Sequence, residues 1–460
     1  MTFPQLYDIY HRHPVVTTDT RNCPDGSLFF ALRGEKFDGN AFALDALAKG
    51  CAYAVVDDAE VAAKDKRCLF VDDVLSTLQE LAAHHRRVLD TPVLQITGTN
   101  GKTTTKELVA AVLGEKFNVL YTEGNLNNHI GVPLTLLRLR PEHDFAVIET
   151  GANHPGEIAQ LSKIVQPNCG LITNVGKAHL EGFGSFEGVV KTKTELYRYL
   201  AQRNTELTET LITGETRFKP DAVPYFVFVN GDNELLTPHV AECGLPSLSY
   251  GSPGHDYTIE GEVQECAPFL TLRWRKKDGA WHKVNTQLVG AYNIDNVLAA
   301  VLVGFCFKVP LSAIDHALQH YAPHNNRSEY RKTEHNSLII DAYNANLSSM
   351  QAALGSFRQT TAEHKMMILG DMRELGEASA EAHAEVLRQA LTCGCEEIWL
   401  VGECFGAAAR SVTLPQAVRV RAFADVEAVE QELLSHPISE NLILIKGSNG
   451  TRLFRLPEFL

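Results

Sequence analysis

Residues 93–107 read Val93-Leu94-Gln95-Ile96-Thr97-Gly98-Thr99-Asn100-Gly101-Lys102-Thr103-Thr104-Thr105-Lys106-Glu107. The first five are an apolar run of strand length, two glycines follow, and residues 106–113 carry a helical pattern that Gly114 is expected to stop. A strand passing through a glycine turn into a helix is the context a phosphate-binding loop needs. The loop here is the short form GxxGKT, since position 96 holds Ile rather than the first glycine of the longer pattern. Gly98 and Gly101 let the backbone close around phosphate oxygens, with Thr99, Asn100 and Thr104 in the same turn. Lys102 supplies a point charge for the β and γ phosphates, and the Thr103 hydroxyl is a candidate Mg²⁺ ligand.

Working outward, residues 145–149 and 171–175 are further continuous apolar runs, as expected for strands of a parallel sheet covered on both faces. Beyond about residue 322, such runs recur at 338–340, 366–369, 398–401 and 442–445, and three of them lead straight into Gly370, Gly402 and Gly447. Ligands of open parallel sheets bind beyond the carboxyl ends of the strands, where these glycines sit. Upstream of residue 90, short apolar runs at 27–32, 52–56 and 68–71 alternate with turn signals at Pro24-Asp25-Gly26 and Asp38-Gly39-Asn40. The expected fold class is α/β in three domains: a small N-terminal one (1–90), a central phosphate-loop domain with a mostly parallel sheet (91–322) and a C-terminal Rossmann-like one (323–460).

The chain has 460 residues, of which 45% are hydrophobic and 21% charged, a composition that supports folded domains throughout. Its 42 basic and 56 acidic side chains leave a net charge of −14, so the surface repels polyphosphate backbones and anionic membranes, and no nucleic-acid partner is expected. Any phosphate must be captured locally. The ten cysteines show no metal-ligand spacing and read as reduced thiols of a cytoplasmic protein. The opening residues, MTFPQLYDIYHRHP, do not carry a basic stretch followed by an apolar one, so no export signal is expected. The longest apolar run, residues 297–307, falls well short of the roughly 20 residues that span a bilayer.

Other residues gain interest from position. Glu149 closes a strand whose end aims at the loop, which suits either a metal ligand or an ordinary strand-end acid. His179 and Lys193, read alone, are a lone histidine and a lone lysine. Asn293 and Asn296 open an apolar helix and either cap it or read a base edge. Arg327 and Asp341 read alone as a surface arginine and a turn acid, the latter beside Tyr343, Asn344 and Asn346.

Taken together, the chain resembles the Mur ligase family, ATP-dependent amide-forming enzymes of peptidoglycan synthesis. The resemblance runs through Thr18-Asp19-Thr20-Arg21, Phe37-Asp38-Gly39-Asn40, ITGTNGKTTTKE (96–107), GNLNNHIGVPLTLL (124–137), ETGANHPGEIAQL (149–161), AHLEGFGS (178–185), GAYNIDN (290–296), IIDAYNAN (339–346), ILGDMRELGE (368–377) and LIKGS (444–448). Within the family it is most similar to the branch that adds D-alanyl-D-alanine to UDP-N-acetylmuramoyl-tripeptide. The resemblance implies an N-terminal domain for the UDP-sugar, a central ATPase and a C-terminal domain that closes over the site. It implies that Thr103, Glu149, His179 and a carbamylated Lys193 hold Mg²⁺, with two ions expected. Lys102, Glu149, His179 and Lys193 become the catalytic candidates. Asn293 and Asn296 would lie against the adenine, and Arg327 and Asp341 would reach phosphates and ribose from the C-terminal side. Arg21, Asp38 and Asn40 would belong to the uridine end, and Asn125, Asn127 and Asn128 to the muramyl-peptide face. Tyr343, Asn344 and Asn346 are further substrate-binding candidates, and a monomer is expected.

The implied chemistry is that ATP phosphorylates a carboxylate, a poor electrophile, to an acyl phosphate that an amine then attacks. Such an intermediate hydrolyses readily, which gives a closing domain its purpose. Two positions depart from the branch's pattern: Leu347 stands where proline follows YNAN, and Asn449 where arginine follows KGS. The alternatives are a sister ligase adding diaminopimelate or lysine, whose DNPR-type motif is not found here, folylpolyglutamate synthetase, and a regulatory module that hydrolyses ATP without joining anything.

Overall fold

The computed structural model describes residues 2–176, 180–213 and 224–460. Among these, the strands form three large sheets and one two-stranded ribbon. The first sheet is all parallel and contains Val16–Thr17, Leu28–Phe30, Tyr53–Val56 and Cys68–Phe70. The nine-stranded second sheet is parallel around its centre, where Val93–Thr97 lies between Cys169–Ile172 and Phe145–Glu149. It ends in an antiparallel meander of Ile259–Cys266, Phe269–Lys276 and His282–Val289. In the third, Glu329–Lys332 is an antiparallel edge on the parallel strands Ser337–Asp341, Leu442–Lys446, Lys365–Gly370, Glu397–Val401 and Arg419–Phe423. The α/β class and the mostly parallel central sheet are as the apolar runs indicate.

The apolar run at 297–307 lies mainly in the helix Ile294–Cys306, whose central residues are fully buried. It packs beside the loop helix Lys102–Gly114 in one core with the central sheet. A helix that is apolar all round is stable in water only when enclosed in this way. The N-terminal region packs directly on the central one: its helices Phe3–Arg12 and Val74–Leu89 share a core with Val132, Leu136, Leu161 and Ile164. The Tyr10 hydroxyl crosses the same junction to donate to the Leu137 carbonyl at 2.5 Å.

Two elements differ from their sequence reading. The loop helix starts at Lys102 rather than Lys106, because Gly101 takes a left-handed turn (φ +77°) and launches the helix directly. Gly114 is its last residue rather than the residue that stops it. The strand expected at 171–175 is Cys169–Ile172, and just past its end the side chains of Thr173 and Asn174 bind the phosphate loop.

Candidate active site

Val93–Thr97 delivers Gly98 to the carboxyl edge of the central sheet with φ +143°. A Cβ there would come within 2.1 Å of the Thr173 hydroxyl. A Cβ on Gly101 would meet Asn296 Oδ1 at 2.4 Å. Both glycines therefore permit a left-handed turn and a close approach that no other residue supplies. The neighbouring strand end holds the loop like a template. Asn100 N–H donates to Asn174 Oδ1 (3.0 Å), Asn174 Nδ2 donates to the Asn100 carbonyl (3.1 Å), and the Thr173 hydroxyl donates to that carbonyl at 2.6 Å. A helix start has no intrahelical partners for its first N–H groups, and Gly101 has no side chain to cap them, so the amides of Lys102, Thr103 and Thr104 are poised for an anion. Lys102 Nζ lies against the loop, donating to the carbonyls of Gly98 and Thr99 at 2.9 Å. Burial, reinforced by the charge of Arg327 and opposed by Glu149, lowers its pKa to about 8.

Ile96, two residues before the loop, pairs with Glu149 on the adjacent strand. The Glu149 carboxylate is buried, and its Oε1 accepts a 2.7 Å bond from Asn127 Nδ2. Its Oε2 and the Thr103 hydroxyl are buried with no hydrogen-bond partner. Buried polar atoms are almost always paired. An orphaned carboxylate oxygen and an orphaned hydroxyl, on a strand end and helix start that run side by side, fit a hard divalent cation such as Mg²⁺. Lys193 ends the helix Phe186–Lys193 inside the same cavity, 2% exposed, its Nζ 5.7 Å from the centre of the Phe183 ring. Burial, with Lys102 nearby and against the pull of Glu157, Glu195 and Glu149, brings its pKa down to about 7. His179 lies outside the described residues.

Asn125, Asn127 and Asn128 line the cavity. Asn128 Oδ1 accepts from the N–H groups of Ile130 (3.1 Å) and Gly131 (2.9 Å), just ahead of the helix Gly131–Leu136. Asn293 and Asn296 line it too, but the capping reading fails, because the Asn293 side chain makes no cap bond. Asn296 Nδ2 donates instead to Asn293 Oδ1 (2.8 Å), and Asn296 Oδ1 accepts from the Thr105 hydroxyl (2.9 Å), tying the two central helices together behind the loop.

The C-terminal sheet closes the opposite wall. Arg327 is half-buried with an enclosed Nε, not a surface arginine, and its guanidinium stacks 3.9 Å from the centre of the Tyr343 ring. Asp341 is the last residue of a strand rather than part of a turn, and it pairs at 2.5 Å with the buried Lys446. Asn346 caps the helix Leu347–Gln359, with Oδ1 accepting from Ser349 N–H at 2.9 Å. All of these residues, with Asn344, border one cavity of about 820 Å³. Arg21, Asp38 and Asn40 do not. Arg21 is an exposed partner of Asp19 at 2.6 Å, and the Asn40 amide is taken up by Asp38 and Asp57.

Sequence reasoning passed over Asn174, Asp295, Ser348 and Lys446. Asn174 and Lys446 carry a usable signal, a polar residue at or just past the end of an apolar strand run.

The sequence matches three family descriptions in succession: "Mur ligase family, catalytic domain" over residues 14–86, "Mur ligase middle domain" over 96–304 and "Mur ligase, glutamate ligase domain" over 326–449. It is 36% identical over 430 residues to the UDP-N-acetylmuramoyl-tripeptide--D-alanyl-D-alanine ligase of Escherichia coli (strain K12), covering 88% of this chain and 86% of that one. The chain belongs to the Mur ligase family. The enzyme of the same name from Haemophilus influenzae is 32% identical over 460 residues, covering 97% of this Mur ligase and 92% of the relative. A crystal structure of MurF from Acinetobacter baumannii superposes with a TM-score of 0.80 at 30% identity, covering 96% and 92% of the two chains. In this Mur ligase, neither Leu347 nor Asn449 borders the cavity. Leu347 is the first residue of a helix, where proline is also at home, and Asn449 is exposed.

Proposed function

We propose that this protein is the ATP-dependent ligase that joins D-alanyl-D-alanine to UDP-N-acetylmuramoyl-tripeptide in the cytoplasmic assembly of peptidoglycan precursors. One observation carries the reading: a phosphate loop, a buried carboxylate with one unpaired oxygen and cationic groups from two domains converge on one cavity, in a chain over a third identical to a ligase of that name.

The loop amides and Lys102 hold the β and γ phosphates, and Arg327 adds positive charge from the opposite wall. Asp341, anchored by Lys446, faces the ribose, and Asn293 and Asn296 back the adenine. Thr103, Glu149, His179 and Lys193 are the residues that would hold Mg²⁺, which when bound offsets charge on the transferring phosphoryl group. Lys193 takes part as a carbamate, since burial favours its neutral amine, the form that adds CO₂. The tripeptide carboxylate attacks the γ phosphorus to give an acyl phosphate and ADP. The dipeptide amine then attacks the carbonyl, and phosphate leaves. Contact between the C-terminal domain and the loop keeps water from the acyl phosphate.

The test is phosphate release from ATP and UDP-N-acetylmuramoyl-tripeptide with D-Ala-D-Ala, D-Ala, lysine or glutamate as acceptor. Release matched by amide product with D-Ala-D-Ala alone is the expected result. Equal turnover with lysine, or release without any product, overturns the reading.

A further inference from the structure

The backbone turns left-handed on both sides of Arg327, with φ +57° at Asn326 and +49° at Ser328. Neither residue is glycine, so the surroundings must hold this short connection in a conformation it would not choose. The holds are visible. The Asn326 carbonyl accepts from Ala342 N–H at 3.0 Å, next door to Tyr343. The Ser328 hydroxyl is bound by Asn293 Nδ2 and by the Tyr292 hydroxyl, both at 3.1 Å. Pinned at both flanks, Arg327 reaches into the cavity between the central and C-terminal sheets.

Its guanidinium carbon lies 3.9 Å from the centre of the Tyr343 ring, while its Nε is enclosed without a hydrogen-bond partner. A contact through the face of the guanidinium fixes its plane and leaves its in-plane N–H groups unspent, the opposite of what a carboxylate partner does. The positive charge is felt across the cavity, where it helps depress Lys102.

We propose that Tyr343 is a positioning residue for phosphoryl transfer: its ring clamps the Arg327 guanidinium flat, so that the in-plane N–H groups meet the phosphates of the bound nucleotide. This rests on the reading of Arg327 as a phosphate-binding arm. The ring face does the work, so phenylalanine serves and an aliphatic side chain of similar bulk does not.

The experiment is steady-state phosphate release by the full-length protein carrying Tyr343→Phe, Tyr343→Leu, Arg327→Ala or the pairs with Arg327→Ala, with melting temperatures to confirm folding. Tyr343→Leu is expected to lower kcat about 10-fold, with a smaller change in KM for ATP. Tyr343→Phe recovers most of that loss, and Tyr343→Leu adds nothing once Arg327 is alanine. Guanidinium ion raises the rate of Arg327→Ala severalfold when the ring is present, and fails to do so with Leu at 343. If Tyr343→Leu lowers the rate by the same factor with and without Arg327, the ring acts independently and the proposal falls while the phosphate-arm reading stands. If Arg327→Ala turns over at the wild-type rate, the arm reading falls and the proposal with it.

Discussion

Asn346 Nδ2 donates a 2.8 Å hydrogen bond to Asn100 Oδ1, joining the cap of a C-terminal helix to the middle of the phosphate loop across 246 positions of sequence. Asn100 Nδ2 returns a 2.8 Å bond to the hydroxyl of Ser348. The loop and the C-terminal domain are thus in direct contact. Asn100→Ala should cut kcat while leaving the melting temperature almost unchanged. Asn346→Ala should cut kcat and also cost about 1 kcal/mol of stability through the lost helix cap. A double-mutant cycle in kcat/KM should return a coupling of about 1 kcal/mol, the usual value for a neutral hydrogen bond. Strict additivity would mean that the clasp has no part in turnover.

On the proposed function, Lys102→Ala should leave a folded protein with no measurable phosphate release, because a cation at the β and γ phosphates is worth several kcal/mol in the transition state. Full activity in this variant would remove the loop from the chemistry.

On the proposed function, Lys193→Ala should be inactive and regain part of its rate with added short carboxylates, which would stand in for the oxygens of a carbamate. Wild-type turnover without any addition would exclude Lys193 from the site.

Asp295 is exposed on the wall of the cavity. Desolvation by the walls around it, with the neighbouring Asp232 and against a bond from Asn230, raises its pKa to about 6. For an acid raised on folding, the favourable contribution is complete below the unfolded value and is lost as pH climbs through the folded one. Asp295→Asn should therefore raise the melting temperature more at pH 8 than at pH 4. A gain independent of pH would contradict the shift.

Leu347→Pro should fold with nearly unchanged stability. Position 347 is the first of its helix, where a backbone N–H has no intrahelical partner to lose, and Asn346 before it is already extended (φ −137°, ψ 169°), as proline requires of its predecessor. A drop of many degrees in melting temperature would show that the leucine side chain, packed against the C-terminal core, is essential.

The chain's own residues were enough to place the phosphate loop, since strand, glycine turn and helix are local features written in consecutive positions. The same holds for the parallel strands, whose unbroken apolar runs declare burial on both faces. Asn293 and Asn296 were less legible: cap and ligand contact look alike in sequence, and only the packing of two helices shows their amides bonded to each other and to Thr105. Arg327 and Asp341 looked ordinary alone. Their meaning depends on a ring 16 positions away and a lysine 105 positions away, which no local pattern connects. Arg21, Asp38 and Asn40, expected at the uridine end, came from family pattern alone, and they do not border the central cavity. Sequence thus determined the elements and the loop, because period and turn chemistry act over a few residues. Tertiary structure decided which distant side chains share a cavity and which buried oxygens go unpaired, because these depend on how separately formed sheets face one another.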